Sequence, residues 1–346
     1  MNLPNPTQAT RFPGRVTLVT GAGGSIGSEL CRQVAAMGPS RLVLLDIDET
    51  EIFLLADEIS WLFPEVPTTC IVGDVRDNSR IGRIFETLRP DVVIHAAAYK
   101  HVPMMEDNAW EAVGNNVRGT MCVASEAGRH GAAAFVNLST DKAFRPCSIM
   151  GATKRVAELA VRICADEYPD TSYSSVRFGN VRDSRGSVIP TFRRQIERRV
   201  PLTVTHPEAT RYFIDIPDAA RLVLVAATTG AHGDIFTLDM GEPVRIADLA
   251  SEMIRESGLN LEIVYTGLRP GEKLTEENPI EEKDCIFTGI PGLYVNRARL
   301  IDAGAFKSGL NALLRLPASS EAHEIRCILA SMDIGLQQGF CQSNGE

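Results

Sequence analysis

Residues Arg15–Leu30 read RVTLVTGAGGSIGSEL. A short apolar run rich in β-branched residues leads into glycines at positions 21, 24 and 27, and then into a stretch that favours helix. A strand that turns sharply into a helix needs small residues at the turn. The same small residues let a backbone approach a pyrophosphate, which the free amides of the helix N-terminus stabilise. Gly21, Gly24 and Gly27, with Ser25 and Ile26 between them, are therefore candidates to hold the phosphates of a dinucleotide. A glycine triplet alone is weak evidence, because tight turns also collect glycine, so its surroundings decide. The next apolar run, Leu42–Asp46, ends in a carboxylate about 20 residues after the last glycine, where an acidic side chain can bind both ribose hydroxyls. The competing role for Asp46 is to cap the following helix. Asp48, Glu49 and Glu51 come next, with no adjacent cation, and would repel a 2′-phosphate. NAD is expected as cofactor, with NADP less well suited.

Outward from this turn, apolar strands alternate with amphipathic helices. Strands are expected at Thr69–Val72, Asp91–Ala96, Ala134–Leu138 and Tyr173–Gly179. Helices are expected at Glu49–Ile59, Ile81–Leu88, Ala109–Ala127 and Gly151–Tyr168. This alternation predicts an α/β fold, a doubly wound parallel sheet of Rossmann type with a smaller C-terminal substrate lobe. The expected division is a nucleotide-binding domain over 12–180, rejoined by 212–240, and a lobe built from 181–211 and 241–335. The latter contains helices at Val188–Arg199 and Ile246–Ser257, a strand at Leu261–Tyr265 and a turn at Gly267–Lys273. The segment Asp234–Met240 reads as a strand able to return to the main sheet, and the tail past about Met332 reads as frayed. Asp74 and Val75 follow the third strand, suited to the adenine edge, although Asp74 also fits a plain turn. Ala96, Ala97 and Ala98 close the fourth strand with the small side chains that a passing dinucleotide requires.

The chain has 346 residues, 44% hydrophobic and 23% charged, with a net charge of −9. This composition suits a globular enzyme and argues against nucleic acid or an anionic membrane surface as partner. The eight cysteines form no Cys-x-x-Cys pair, so reduced core thiols are expected rather than disulfides or a metal site. No apolar stretch reaches the roughly 18 residues of a membrane span, and the start MNLPNP carries no signal pattern. A cytoplasmic protein without membrane insertion is expected.

The motifs TGAGGSIGSEL (Thr20–Leu30), HAAAYKHVPMMEDNAWEAVGNNVRGT (His95–Thr120), STDKAFRPCSIMGATKR (Ser139–Arg155), VRFGNVRDSRGSVIP (Val176–Pro190), TVTHPEATRYF (Thr203–Phe213) and TGLRPGEKLTEE (Thr266–Glu277) together resemble the extended short-chain dehydrogenase/reductases. More narrowly, the set resembles the UDP-N-acetylglucosamine 4,6-dehydratases of polysaccharide biosynthesis. The resemblance implies a catalytic triplet at Thr140, Asp141 and Lys142, a ribose-binding lysine at Lys154 whose charge favours hydride acceptance, and a helix-kinking asparagine at Asn116 that supports it. Position 150, four residues before Lys154 and so on the same helix face, holds methionine where many members have tyrosine. A thioether has no proton to exchange. This agrees with a subgroup, many of whose members are long and membrane-anchored, in which Met150 would line the sugar pocket; otherwise Met150 is a core residue and Asp141–Lys142 an ordinary ion pair.

The implied reaction oxidises the C4 hydroxyl, removes the acidified C5 proton, expels the C6 hydroxyl as water and returns hydride to C6. With no tyrosine, the triplet must carry the proton chemistry. On burial and charge grounds Lys142 is expected to be a neutral amine that takes the C5 proton, held so by Lys154 and the oxidised nicotinamide. Asp141 is expected to serve the C4 or C6 hydroxyl, with Thr140 bonded to O4. Lys100, Asn180, Arg185, Arg211, Arg269, Glu272 and Lys273 are the implied contacts to a UDP-sugar, Glu272 by orienting Arg269 or holding a ribose. Arg193, Arg194, Arg198 and Arg199 read as a solvated or oligomer-contact helix face, and His101 as structural. A homo-oligomer is expected by the same resemblance. A UDP-hexosamine 4-epimerase, a dehydratase ending at a 5,6-unsaturated sugar, and a non-catalytic NAD or sugar-nucleotide sensor are the other readings.

Overall fold

The computed structural model describes residues 11–229, 233–281, 285–296, 303–337 and 340. The lead Met1–Pro6 and Cys341 lie outside these residues. Nine strands form one sheet. They are β1 (Val16–Thr20), β2 (Arg41–Asp46), β3 (Thr68–Val72), β4 (Val92–His95), β5 (Ala134–Leu138), β6 (Ser172–Arg177), β7 (Asp234–Leu238), β8 (Cys285–Phe287) and β9 (Leu293–Asn296). Their order is β8-β9-β7-β6-β5-β4-β1-β2-β3. The first seven run parallel, and β9 is antiparallel to both β7 and β8. The direction of winding reverses between β1 and β4, which opens a crevice at the carboxyl ends of the strands where open α/β sheets bind ligands.

The helices are α1 (Ser25–Ala36), α2 (Glu49–Leu62), α3 (Asn78–Leu88), α4 (Val102–Asp107), α5 (Ala109–Ala112), α6 (Thr120–Arg129), α7 (Ile149–Glu167), α8 (Val188–Glu197), α9 (Ile216–Thr229), α10 (Ile246–Ser257), α11 (Ala303–Arg315) and α12 (Ala322–Ser331). Local chemistry sets their starts: Asp48, Asp77 and Ser148 each accept a backbone N–H of the first turn of α2, α3 and α7. Leu18, Val19, Leu42, Leu44, Val93 and Val136 are fully buried, as strands covered on both faces must be. One apolar layer joins α1, α2 and α9 to the sheet, and the other joins α3, α6 and α7.

Three expectations change. The helix expected across Ala109–Ala127 is α5 and α6 joined by a π-helical turn, Val113–Gly119. The buried Asn116 side chain bonds the Tyr99 backbone there and holds the wider winding. The stretch 241–335 is not all lobe. Leu293 is fully buried opposite Leu238, so β8 and β9 extend the main sheet. Phe306, Leu313, Ile325 and Leu329 bury α11 and α12 against α4, α5 and α7. The separate lobe cluster is smaller, built from α8, α10 and the short strands Leu202–Val204 and Ile263–Tyr265. Finally, the described part of the tail is anchored. The Gln337 N–H donates to Pro146 O at 3.1 Å, and Phe340 is buried with its carbonyl accepting from Arg326.

Candidate active site at the strand ends

The turn after β1 is shaped by contact. Gly21 has φ +66°, and a Cβ there would lie 2.6 to 2.8 Å from the backbone of Ala96 and Ala97. Only glycine lets the β1 and β4 ends meet in this way. Helix α1 starts at Ser25 with no side chain capping its amides, while Ile26 packs onto the core and Gly27 is buried. Asp46 braces the turn: Oδ2 accepts from Gly23 N at 2.9 Å and Oδ1 from Asp48 N at 3.2 Å. The helix-capping role falls instead to Asp48. Ala98 follows Ala96 and Ala97, half-buried, at the mouth of the crevice. The unsatisfied amides of α1, the Gly21 cradle and the Asp46 carboxylate fit the phosphates and ribose of a dinucleotide.

Asp74 is otherwise occupied. Its oxygens accept from the Arg76 backbone at 2.8 Å and from Arg76 Nε at 2.9 and 3.0 Å. Burial favours its protonated form, but Arg76 outweighs that and holds its pKa below the usual range. Asp74 thus braces the turn after β3, and Val75 is buried against Gly119 of the π-helical turn.

The triplet lies just past β5. Thr140 Oγ1 donates to Asp141 Oδ1 at 2.8 Å and accepts from Lys142 N at 3.3 Å. Lys142 Nζ donates to Asp141 Oδ1 and Asn180 Oδ1, both at 3.0 Å, and stands 3.4 Å from Glu276 Oε1. Asp141 Oδ2 and Glu276 Oε2 are buried with no hydrogen-bond partner among the described residues. Burial alone would push the Lys142 ammonium down, yet Asp141 and Glu276 outweigh it and hold its pKa above the ordinary lysine value. The expectation of a neutral Lys142 is thus corrected for this state: two carboxylates, not repulsion from Lys154, set its charge.

Lys154 behaves differently. It is buried on α7 and donates to Leu138 O, three residues before Asp141. Burial pushes its pKa down to about 8, opposed only by Glu158. Asn116 Nδ2 donates to Thr153 Oγ1 at 3.2 Å, next to Lys154 on α7. Gly151 lets α7 come close to the triplet, since a Cβ there would collide with the Lys142 carbonyl. Met150 is 2% exposed and packs with Met105, Ile149 and Leu310 in the apolar cluster under α11 and α12. That is the core placement, not an open pocket wall.

The expected substrate contacts scatter. Asn180 belongs to the triplet network. Arg185 leans back over the glycine turn, pairing with Glu51 at 2.6 Å and bonding Gly23 O, while its N–H donates to Ser25 Oγ at 3.0 Å. Arg211 spends its guanidinium on the carbonyls of Thr210, Lys273 and Leu274, with Nε 3.8 Å from Glu276. Lys273 bonds Phe144 O at 3.2 Å and Glu277 at 3.3 Å. Glu272 orients Arg269, which is exposed. Lys100 is exposed beyond β4, and His101 precedes α4 as its cap residue. Glu276 was not singled out from sequence. Its only signal is a second carboxylate beside Glu277 at the end of TGLRPGEKLTEE. The backbone bridge between Thr210 and Thr275 is what carries it to Lys142.

A family model described as "Polysaccharide biosynthesis protein" matches residues 17–296. The chain belongs to that family. It is 49% identical over 267 residues to "Capsular polysaccharide biosynthesis protein CapD" of Staphylococcus aureus, a match covering 76% of this chain and 45% of that one. The matched stretch therefore spans less than half the length of this relative. It is 33% identical to "UDP-N-acetylglucosamine 4,6-dehydratase (inverting)" of Campylobacter jejuni, over 77% of each chain. A "UDP-glucose 4-epimerase" of Rickettsia massiliae is also 33% identical, over 76% of each. Among solved structures, Pen from Bacillus thuringiensis aligns with TM-score 0.77 and 31% identity, covering 84% of this chain and 91% of that one. DesIV, a dTDP-glucose 4,6-dehydratase from Streptomyces venezuelae solved with NAD and TYD bound, aligns with TM-score 0.68 and 21% identity over 76% and 87%, a likeness of fold. The architecture of this family member is that of the extended short-chain dehydrogenase/reductases, and its relatives are nucleotide-sugar dehydratases and epimerases. No helix among the described residues is long and apolar enough to cross a membrane.

Proposed function

We propose that this chain is an NAD-dependent 4,6-dehydratase that converts UDP-N-acetylglucosamine to a UDP-4-keto-6-deoxyhexosamine. The observation that carries the reading is the cluster past β5, a lysine ammonium between two buried carboxylates, each with one unpartnered oxygen. A reaction confined to oxidation and re-reduction at C4 has little use for such a cluster, whereas elimination across C5 and C6 needs several proton positions. The Campylobacter relative's name is a second support.

The Gly21 turn, the first amides of α1 at Ser25 and Ile26, Asp46 and Lys154 would hold NAD. The acidic run after β2 favours it over NADP, since Arg185 and Arg32 are already paired with Glu51, Glu29 and Glu58. Bound there, NAD would supply the hydride acceptor for C4 and the hydride donor for C6. Asp141 Oδ2 accepts the C4 hydroxyl proton, and the Thr140 hydroxyl, bonded to Asp141 Oδ1, serves as the hydrogen-bond partner of the substrate O4. Lys142 Nζ, acting as the free amine once its ammonium proton has been given up, takes the C5 proton that the new ketone acidifies. Asp141 then gives its proton to the C6 hydroxyl, which leaves as water. Lys142 returns its proton to C5 after C6 is reduced, so each group ends as it began. Arg269 and Lys100, exposed at the rim, suit the diphosphate. A cytoplasmic homo-oligomer belongs to the same reading, with the exposed Phe53, Leu54 and Trp61 of α2 as an apolar face for association.

Incubating the protein with UDP-N-acetylglucosamine and following the sugar by proton NMR tests this. A new C6 methyl doublet beside a C4 ketone or its hydrate is expected. The 33% identity to the Rickettsia epimerase favours a second reading, UDP-hexosamine 4-epimerization, which would give a C4 epimer instead. A 5,6-unsaturated product would mean that hydride is not returned, and an unchanged sugar would point to a sensor.

A further inference from the structure

Lys142 can take the C5 proton only as a free amine, yet Asp141 at 3.0 Å and Glu276 at 3.4 Å favour its ammonium form. Three charged groups face it, namely Asp141 and Glu276, and then Arg211 behind Glu276. Its own proton therefore needs somewhere to go. Asp141 is the wrong place in the proposed cycle, because it receives the C4 hydroxyl proton and holds it for the C6 hydroxyl. No tyrosine stands at position 150 to share the load.

We propose that Glu276 is the proton store of this site, taking the spare proton from Lys142 Nζ so that the amine can act, and handing it back when the cycle closes. The contact runs from Nζ to Oε1 at 3.4 Å, near enough for a direct transfer after a small closure. One N–H bond breaks and one O–H bond forms, turning an ammonium–carboxylate pair into an amine and a carboxylic acid with no change in net charge. The Glu276 side chain is 3% exposed, and substrate covering the strand ends would dry it further. Desolvation penalises two separated charges more than a neutral pair, so it drives the transfer in this direction. Once Asp141 has been protonated, Lys142 also loses the nearer of its two anionic partners. Arg211 opposes the transfer by favouring the anion, but its Nη atoms are committed to three backbone carbonyls and only Nε faces Glu276. The unpartnered Oε2 leaves a lone pair for a substrate hydroxyl that would hold the acid in place.

The inference rests on the dehydratase reading, and its test is chosen to separate the two. Supplied with a UDP-4-keto-6-deoxy-N-acetylhexosamine in deuterated water, the wild-type holoenzyme should exchange the C5 hydrogen, a reaction that needs the amine and no hydride transfer. Glu276→Gln should slow that exchange roughly 100-fold while retaining bound NAD, measured by fluorescence, and an unchanged melting temperature. Glu276→Asp, which keeps a proton acceptor, should recover part of the rate. If Glu276 acted only as a fixed negative charge keeping Lys142 protonated, the glutamine variant would exchange faster. Exchange at or above the wild-type rate in Glu276→Gln therefore overturns this inference alone. Absence of exchange in the wild type overturns the dehydratase reading and this inference with it.

Discussion

Two lysines share the site, and their surroundings push them apart. Lys142 gains two carboxylates and keeps its proton, whereas Lys154 gains burial with little compensation and titrates near pH 8. Such a split is how one site assigns acid, base and fixed-charge tasks. Because folding lowers the Lys154 pKa, the unfolded chain binds more protons between about pH 8 and the ordinary lysine value of 10.5. The penalty for burying the charge is complete below pH 8 and is relieved as pH rises through that window. Urea unfolding at pH 7 and pH 10 should show wild type gaining on the order of 2 kcal/mol relative to Lys154→Met; parallel curves would place the Lys154 titration elsewhere. If its charge assists hydride acceptance, kcat should also fall as pH rises through about 8. Sequence pointed to both lysines through their motifs, but not to their charge states. Those depend on Glu276 and Glu158, which lie elsewhere in the chain or on another turn of helix.

At the level of elements, α7 is positioned from three directions. Ser148 caps it, Gly151 lets it touch the Lys142 carbonyl, and Glu106 of α4 accepts from Ile149 N at 2.8 Å. Glu106 is in turn paired with Arg326 of α12, both buried. Gly151→Ala should displace the triplet and cost at least tenfold in kcat while NAD stays bound; a variant with full activity would show that the contact yields without consequence. Arg326→Ala leaves a buried carboxylate uncompensated and should lose about 3 to 5 kcal/mol of stability. Adding Glu106→Gln should restore part of that loss in the same denaturation experiment, because the orphaned charge is then gone. The strands and helices of the nucleotide half were legible because both buried strands and amphipathic helices write their period into the sequence. The π-helical turn was not, since its cause is one asparagine reaching a distant backbone. Helices α11 and α12 were missed because their apolar faces fit a surface that only the folded chain presents.

Across the whole molecule, the site is assembled where strands β1, β4, β5 and β6 end, and the segment 266–277 returns from the lobe to close it with Glu276. Phe53, Leu54 and Trp61 on α2 are exposed apolar side chains. Light scattering should give an oligomer for the wild type and a smaller species for Trp61→Glu; an unchanged mass would move the contact to another face. Fold class and the dinucleotide turn could be read from sequence, since they rest on local pattern. The meeting of Asp141, Lys142, Asn180 and Glu276 could not, since it joins three distant segments. That meeting is the heart of the functional reading. Turnover of UDP-N-acetylglucosamine in deuterated water, by wild type and by Lys142→Ala, tests it most directly. The wild type should yield a 4-keto-6-deoxy product carrying deuterium at C5, and Lys142→Ala should incorporate none while still binding NAD. Deuterium at C5 at an undiminished rate in the alanine variant would contradict the account.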